Sequence, residues 1–484
     1  MANESRFVAG CPTAFIHDEI GGSPKKQLLW GDHVRVTGPE NSGWFPVTSR
    51  NFRGWMKAED LSEQRLLEIV FVDIGQGDGA LVITPDDRHL LVDAGQEDNL
   101  YRFLRWRYGR FQHPFTFAGA VISHPDQDHY KGFSPIFEDP NISFDSLFHN
   151  GLVERTGDDP LGPREDGFII DVVQTHVALE TLLAEPGRRG SKVYPNMLHD
   201  LLSSGRLGEA AAVSASDKHL PGFGPGAAGS GLTIEVLGPV LDEAGPSPRL
   251  PWFGDVGKTK NGHSVVLRLV YGDISVLLGG DLNIPAEHRL LSHYTGYAIP
   301  PAEGDRSAVI EGARKVFRSD VAKACHHGSA DFSDIFLQAV DPLVTVISSG
   351  DNEPHAHPRA DALGAVGKWG RGARPLVFST ELARSAPESI KRPFVFRQQL
   401  VAAHTALAQA QPGDETERAQ KNVDKLLAEI ERSVAVYGAI NLRSDGSKVV
   451  MAQKVESPSR VSGQWDTYLL EPDAAGVLRY RSKH

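Results

Sequence analysis

The chain has 484 residues, 40% of them hydrophobic and 23% charged, an ordinary globular composition with room for two or three domains. Its formal net charge of −12 argues against a generally basic nucleic-acid-binding face, although bound divalent ions would attract phosphate locally. Cys11 and Cys325, the two cysteines, lie too far apart in sequence to form a disulfide framework; no segment reaches bilayer-spanning apolar length and the start has no signal-like run, so the reading is a cytoplasmic protein without a membrane partner.

In chain order, Val34-Arg35-Val36, Trp44-Phe45-Pro46-Val47 and Gly54-Trp55-Met56 are short β-type runs between Gly, Pro, Asn and Ser turns, which predicts a small barrel over 1–64. From Leu66 the runs lengthen: 67–72, 80–83 and 89–92 read as strands, with the Gly-rich turn 75–79 joining the first two. A helix over 98–108 carries Leu100, Phe103, Leu104 and Trp106 as its apolar positions. The stretch 151–230 is rich in Gly, Pro and charge, with a helix near 195–203 and a mobile Gly-rich loop at 221–231, and reads as an insertion. Strands resume at 232–237, 264–269, 274–278 and 374–378. The last part, 396–484, predicts a helix over 415–431 with the stripe Val423, Leu426, Leu427 and Ile430, then a hairpin of 436–442 and 448–452 turning at Asp445-Gly446, packed on the domain 65–395.

The densest chemistry is Ser123-His124-Pro125-Asp126-Gln127-Asp128-His129, on a loop beyond the short apolar run 119–122. Two imidazoles and two carboxylates at such spacing call for a cation, because the carboxylates repel one another without one. A carboxylate, Asp281, follows the strand 274–278; His326-His327 follow an apolar run; and His355 and His357 come later. Cys325 reads either as a soft ligand or, as burial favours, as core packing.

These motifs, in this order, resemble the metallo-β-lactamase superfamily and within it the hydrolase domain of ComEC-like competence DNA-uptake proteins. The resemblance runs through Val72-Asp73-Ile74-Gly75-Gln76-Gly77-Asp78, Leu91-Val92-Asp93-Ala94-Gly95, the His-x-Asp-x-Asp-His cluster, Gly280-Asp281, His326-His327-Gly328-Ser329 and His357-Pro358. It implies an α/β fold, an αββα sandwich with its site at the rim between two sheets; the first 64 residues are similar to a bacterial SH3-like domain, with Gly43-Trp44 and Gly54-Trp55 as its pieces, and such a module implies a protein partner or a brace. By the family pattern His124, Asp126, Asp128, His129, Asp281 and His326 are metal ligands, with Asp281 bridging two ions and Asp126 standing where much of the superfamily has histidine. His149 and His263 both remain open as a further ligand, and Asp73, Asp78 and Asp93 are expected to orient the ligands from behind. His327 and His357 are expected to contact phosphate or the leaving group.

The implied cofactors are two divalent ions, zinc or manganese, with magnesium also admitted. They would acidify a shared water to a pKa of about 7, so the expected activity is a metal-dependent phosphodiesterase or nuclease using hydroxide on a phosphodiester substrate, a class that includes nucleic acid, with Asp128, His327 and His357 taking part in catalysis. Two other readings stand beside it: a hydrolase of a small ester, amide or nucleotide, and a non-catalytic, metal-stabilised binding module.

Overall fold

A computed structural model describes residues 4–49, 52–227, 229, 231–245, 247–350, 355–380, 393–411, 413–455 and 458–481; within these, nothing is described of the side chains of 393–395 and 428–437. The first sixty or so residues form a seven-stranded antiparallel sheet around Val8, Ile16, Val34, Val47 and Met56. The three expected runs are there as His33–Val36, Trp44–Ser49 and Phe52–Lys57, each bounded by the turn residues that flank it in sequence.

Two further sheets, of eleven and six strands, build the core. The larger is antiparallel through Leu67–Phe71, Gly79–Ile83 and His89–Ala94 and turns parallel at Gly119–Val121. The smaller is antiparallel through Leu232–Gly238, Val266–Tyr271 and Ile274–Leu278, then parallel through Val321–Lys323, Val344–Ile347 and Leu376–Ser379. Their inner faces meet in one apolar cluster that includes Ile69, Val82, Leu90 and Val121 from one sheet and Ile234, Leu267, Val276 and Val344 from the other. Helices cover both outer faces: Leu100, Phe103, Ile136 and Leu198 pack on the larger sheet, and Leu290, Val309, Phe317 and Phe336 on the smaller. Strands buried on both sides explain the near-continuous apolar runs of the sequence. Each fully buried aliphatic side chain in these layers contributes roughly 1.5–3 kcal/mol.

Several expectations change in detail. The 151–230 stretch holds helices at His176–Leu183 and Val193–Ser203, and its strand Leu207–Ala212 pairs in parallel with Ile142–His149, so it extends the larger sheet. Within the Gly-rich loop, Phe223 is buried and carries Arg88 over its ring, while Arg88 also donates to the Gly222 carbonyl. Helix Asp414–Tyr437 runs on through Val436 and Tyr437, which the sequence reading gave to a strand. The hairpin is Ile440–Ser444 and Val449–Lys454, and its first strand pairs with Leu67–Phe71, which makes the C-terminal part an edge of the same sheet. The side chain of Ile430, one of the four in the predicted stripe, lies outside the described side chains. Leu29 and Trp30 of the N-terminal sheet dock on Val450 and Ala452 of that edge. Among the described residues no helix is long and apolar enough to cross a membrane.

The topology gathers loops at one rim. The parallel strands His89–Ala94 and Gly119–Val121 of one sheet, and Val321–Lys323 and Val344–Ile347 of the other, lead at their carboxyl ends into the segments that carry the chemistry. Direct bonds join the two rims: Val265 N–H donates to the Ser123 carbonyl (2.9 Å) and Ser348 Oγ to the Gly77 carbonyl (2.8 Å).

Candidate metal centre

His124 and His129 belong to the loop and short helix that leave the strand Gly119–Val121, and both are fully buried. This loop lies tightly against the turn 75–79: Gly77 has φ +100°, and a Cβ there would fall 1.6 Å from the Asp128 carbonyl oxygen. Only glycine admits both the backbone and the approach. Gly280 plays the same part before Asp281, with φ +54° and Ser264 where its Cβ would be.

Each histidine is anchored through Nδ1. For His129 the anchor is Asp93 Oδ2 at 2.9 Å; for His327 it is Asp78 Oδ1 at 3.2 Å, with the Ser348 carbonyl at 3.1 Å. His124 Nδ1 faces Ser123 Oγ (3.0 Å) and Ser264 Oγ (3.2 Å). Ser123 Oγ donates to Asp93 (2.7 Å) and Ser264 Oγ to the Asn261 carbonyl (2.8 Å), so both hydroxyls are acceptors toward His124. The proton of each of the three rings therefore belongs on Nδ1, and the Nε2 lone pair is the inward-facing group.

Those inward groups converge. Nε2 of His129 and His327 lie 3.3 Å apart, and Asp281 Oδ2 is 3.2 Å from the first and 3.1 Å from the second. Asp128 Oδ2 is 3.7 Å from His327 Nε2, and His124 Nε2 is buried without a partner. Two imidazole lone pairs and a carboxylate oxygen at such distances repel unless a cation, a proton or a metal ion, lies among them. The ionisation preferences express the same demand. Burial acts to lower the His327 pKa, but Asp281 and Asp78 outweigh it and lift it to about 10; His129 is likewise raised well above its usual value against burial, by Asp281 and Asp93. His124 goes the other way, lowered by burial and by the neighbouring His129. Carboxylate-to-histidine-to-centre relays of this kind orient metal-binding imidazoles.

Among the described residues, four groups can hold a metal ion: His124, His129 and Asp281; Asp128, His129 and His327; Asp78, Asp93 and His129; and Asp78, Asp281 and His327. The donor set, imidazole nitrogens with carboxylate oxygens, suits zinc, manganese or iron. Of the residues singled out from sequence, His124, Asp128, His129 and Asp281 come together here, joined by His327. His326 is turned aside, its Nε2 toward the Asn261 side chain at 3.4 Å, and both it and His327 sit at positive φ, 50° and 53°. His357 closes the outside, its ring centroid 5.5 Å from that of His326 and 6.3 Å from that of His327.

His149 and His263 belong to none of the four groups. His149 Nδ1 accepts from Gly151 N–H (3.0 Å), and His263 is stacked on Phe253 with Nε2 on the Pro251 carbonyl (2.7 Å); burial lowers both to a pKa of about 4. Asp73 is buried beneath the 75–79 turn and accepts from Gly75 N–H (3.4 Å). Cys325 follows the strand Val321–Lys323, and its sulfur packs against Gly279, 2.6 Å from where a Cβ there would fall.

Two lysines that the sequence reading left without a role enter the site. Lys323 is buried, ion-paired to Asp78, with Asp281 Oδ1 at 3.6 Å and the Gly280 carbonyl at 3.0 Å. It leaves Asp281 its Oδ2 for the centre. Lys260, on the helix Val256–Gly262, reaches Asp126 Oδ1 (3.4 Å) and Glu154 Oε1 (2.8 Å).

No family model matches the chain. It is similar to ComE operon protein 3 of Bacillus subtilis, with 23% identity over 317 residues that cover 61% of this chain and 30% of that protein. It is also similar to Competence protein ComA of Neisseria gonorrhoeae, with 34% identity over 99 residues, 20% of this chain and 12% of that protein. The chain thus spans less than a third of the length of either relative.

Proposed function

We propose that this protein is a metal-dependent phosphodiesterase, acting on nucleic acid, built as a metallo-β-lactamase-type sandwich with an SH3-like module docked on its C-terminal strands. The observation that carries the reading is the meeting of His129 Nε2, His327 Nε2 and Asp281 Oδ2 within 3.3 Å at the rim between the sheets. Four-layer packing with loops at one rim supports the fold assignment, and the likeness to two competence proteins supports a nucleic-acid substrate over a small ester.

His129, His327, Asp281, Asp128 and His124 would hold the ion. When bound, a divalent cation acidifies water and draws charge from a phosphoryl oxygen. Asp93 and Asp78 keep Nδ1 protonated on their histidines, so the ligating nitrogens need no rearrangement. Lys323 holds Asp281 from behind and offsets part of the carboxylate charge of the buried site. His357, at the outer edge with its ring 6.3 Å from that of His327, would give a proton to the departing alkoxide.

Incubating the purified chain with single-stranded DNA, duplex DNA, RNA, a cyclic nucleotide and a simple phosphodiester, with Mn²⁺ or Zn²⁺ and with chelator, tests the proposal. It predicts metal-dependent cleavage of a nucleic acid; turnover of non-phosphate esters alone would refute it.

A further inference from the structure

Resting on that metal-dependent reading, we infer that the centre takes one divalent ion and that the Lys260 ammonium supplies the positive charge at the Asp126 end, where a second ion is expected. The contacts of Asp126 carry the argument. Its Oδ1 meets Lys260 Nζ at 3.4 Å, and its Oδ2 accepts at 3.1 Å from the Asn261 amide when that amide turns its nitrogen toward the acceptors it faces, the second being the Gly257 carbonyl. The same orientation leaves the Asn261 oxygen toward His326 Nε2. Both oxygens of Asp126 are thus committed to protein donors, and His326 is drawn to Asn261 and away from the centre. Glu154, at 2.8 Å, holds the ammonium from its other side, and Lys260 is only 9% exposed.

Ligand supply points the same way. Asp126 and His326 belong to none of the four metal-capable groups among the described residues, and neither do His149 or His263. The two groups at the centre, His124 with His129 and Asp281 and Asp128 with His129 and His327, share His129. Its Nδ1 is given to Asp93, so one nitrogen remains, and one imidazole nitrogen ligates one ion. A second ion at Asp126 would have to displace a buried ammonium already paired with two carboxylates, at the cost of leaving Glu154 unpaired.

Metal counting tests this without any assay of turnover. The full chain, stripped of metal, is titrated with Mn²⁺ and separately with Zn²⁺ by calorimetry, with bound metal counted by elemental analysis and folding checked by circular dichroism. The expected result is one equivalent for the wild type, one for Asp126→Asn with affinity lowered by no more than about 100-fold, the largest effect expected of a lost supporting group, and two for Lys260→Met, in which Asp126 and Glu154 are released. Two equivalents in the wild type would overturn the inference and leave the metal-dependent reading standing. A loss of more than about 100-fold in Asp126→Asn, beyond what a supporting group accounts for, would make Asp126 a ligand and overturn it as well. One equivalent in Lys260→Met would remove the role given to the lysine. No binding by the wild type would refute the metal-dependent reading itself, and is distinguishable from all of these.

Discussion

At the seam between the N-terminal sheet and the core, Glu68 is buried between Arg443 (2.5 Å) and Arg107 (2.7 Å), whereas at the rim the buried imidazoles of His129 and His327 face each other and a carboxylate. In the seam each buried charge meets its opposite. Burial acts to raise the Glu68 pKa, but Arg107 and Arg443 outweigh it and bring it down to about 2. At the rim, three groups with lone pairs converge and lift His327 to about 10 against burial. Burial and charge alone therefore do not mark a functional site. What separates the two clusters is whether the charges are closed among themselves or leave a place for a cation.

Changes that break this contrast differ in size. Asp281→Ala removes the oxygen on which both imidazoles converge, and turnover is expected to fall at least about 10³-fold with loss of bound metal while circular dichroism is retained. A folded Asp281→Ala protein with wild-type turnover would leave the rim cluster merely structural. His357→Gln is expected to slow cleavage by about 10²-fold at unchanged metal content, with a leaving group of low pKa restoring much of the rate. Asp93→Asn keeps the shape but weakens the hold on His129 Nδ1, and metal affinity is expected to drop about 10–100-fold by calorimetry.

Seam changes act on stability. Arg443→Met leaves Glu68 with one arginine fewer, and the urea midpoint should report a loss of about 3 kcal/mol, with activity per folded molecule unchanged. A loss under about 1 kcal/mol would put this buried pair on a level with exposed ones. The pH dependences have opposite signs. Glu68 has its folded pKa depressed from 4.5 to about 2, so its contribution is present above pH 4.5 and lost as pH falls toward 2. His327 has its folded pKa raised from 6.5 to about 10, so in metal-free protein its contribution is present below pH 6.5 and lost as pH rises toward 10. Thermal melts of stripped protein should fall by about 2 °C or more across that alkaline window, and metal, which ligates neutral imidazole, should abolish the drop.

Much of the architecture was legible in the chain because strands buried on both faces leave long apolar runs; Leu67–Phe71, Gly79–Ile83 and Ile274–Leu278 stand within a residue of their predicted limits. The pairing of Ile440–Ser444 with Leu67–Phe71 was not, since nothing local encodes a partner at the other end of the sequence. The short parallel strands Val321–Lys323 and Val344–Ile347 are too brief to show periodicity. At the site, clustered histidines and aspartates announced themselves by spacing. Of the adjacent pair, the choice of which histidine points inward depends on backbone at positive φ, which residue identity does not reveal. Lys260 and Lys323 were invisible for a different reason: lysine in a sequence reads as solvated surface, and only the carboxylates gathered around these two from distant segments explain their burial.

The central claim is that His129 Nε2, His327 Nε2 and Asp281 Oδ2 form a cation site. Diffraction from crystals grown with Mn²⁺, recorded for anomalous signal, tests it most directly. The account predicts a peak within about 2.5 Å of all three atoms; a fully loaded protein whose only anomalous peaks lie away from these residues would contradict it.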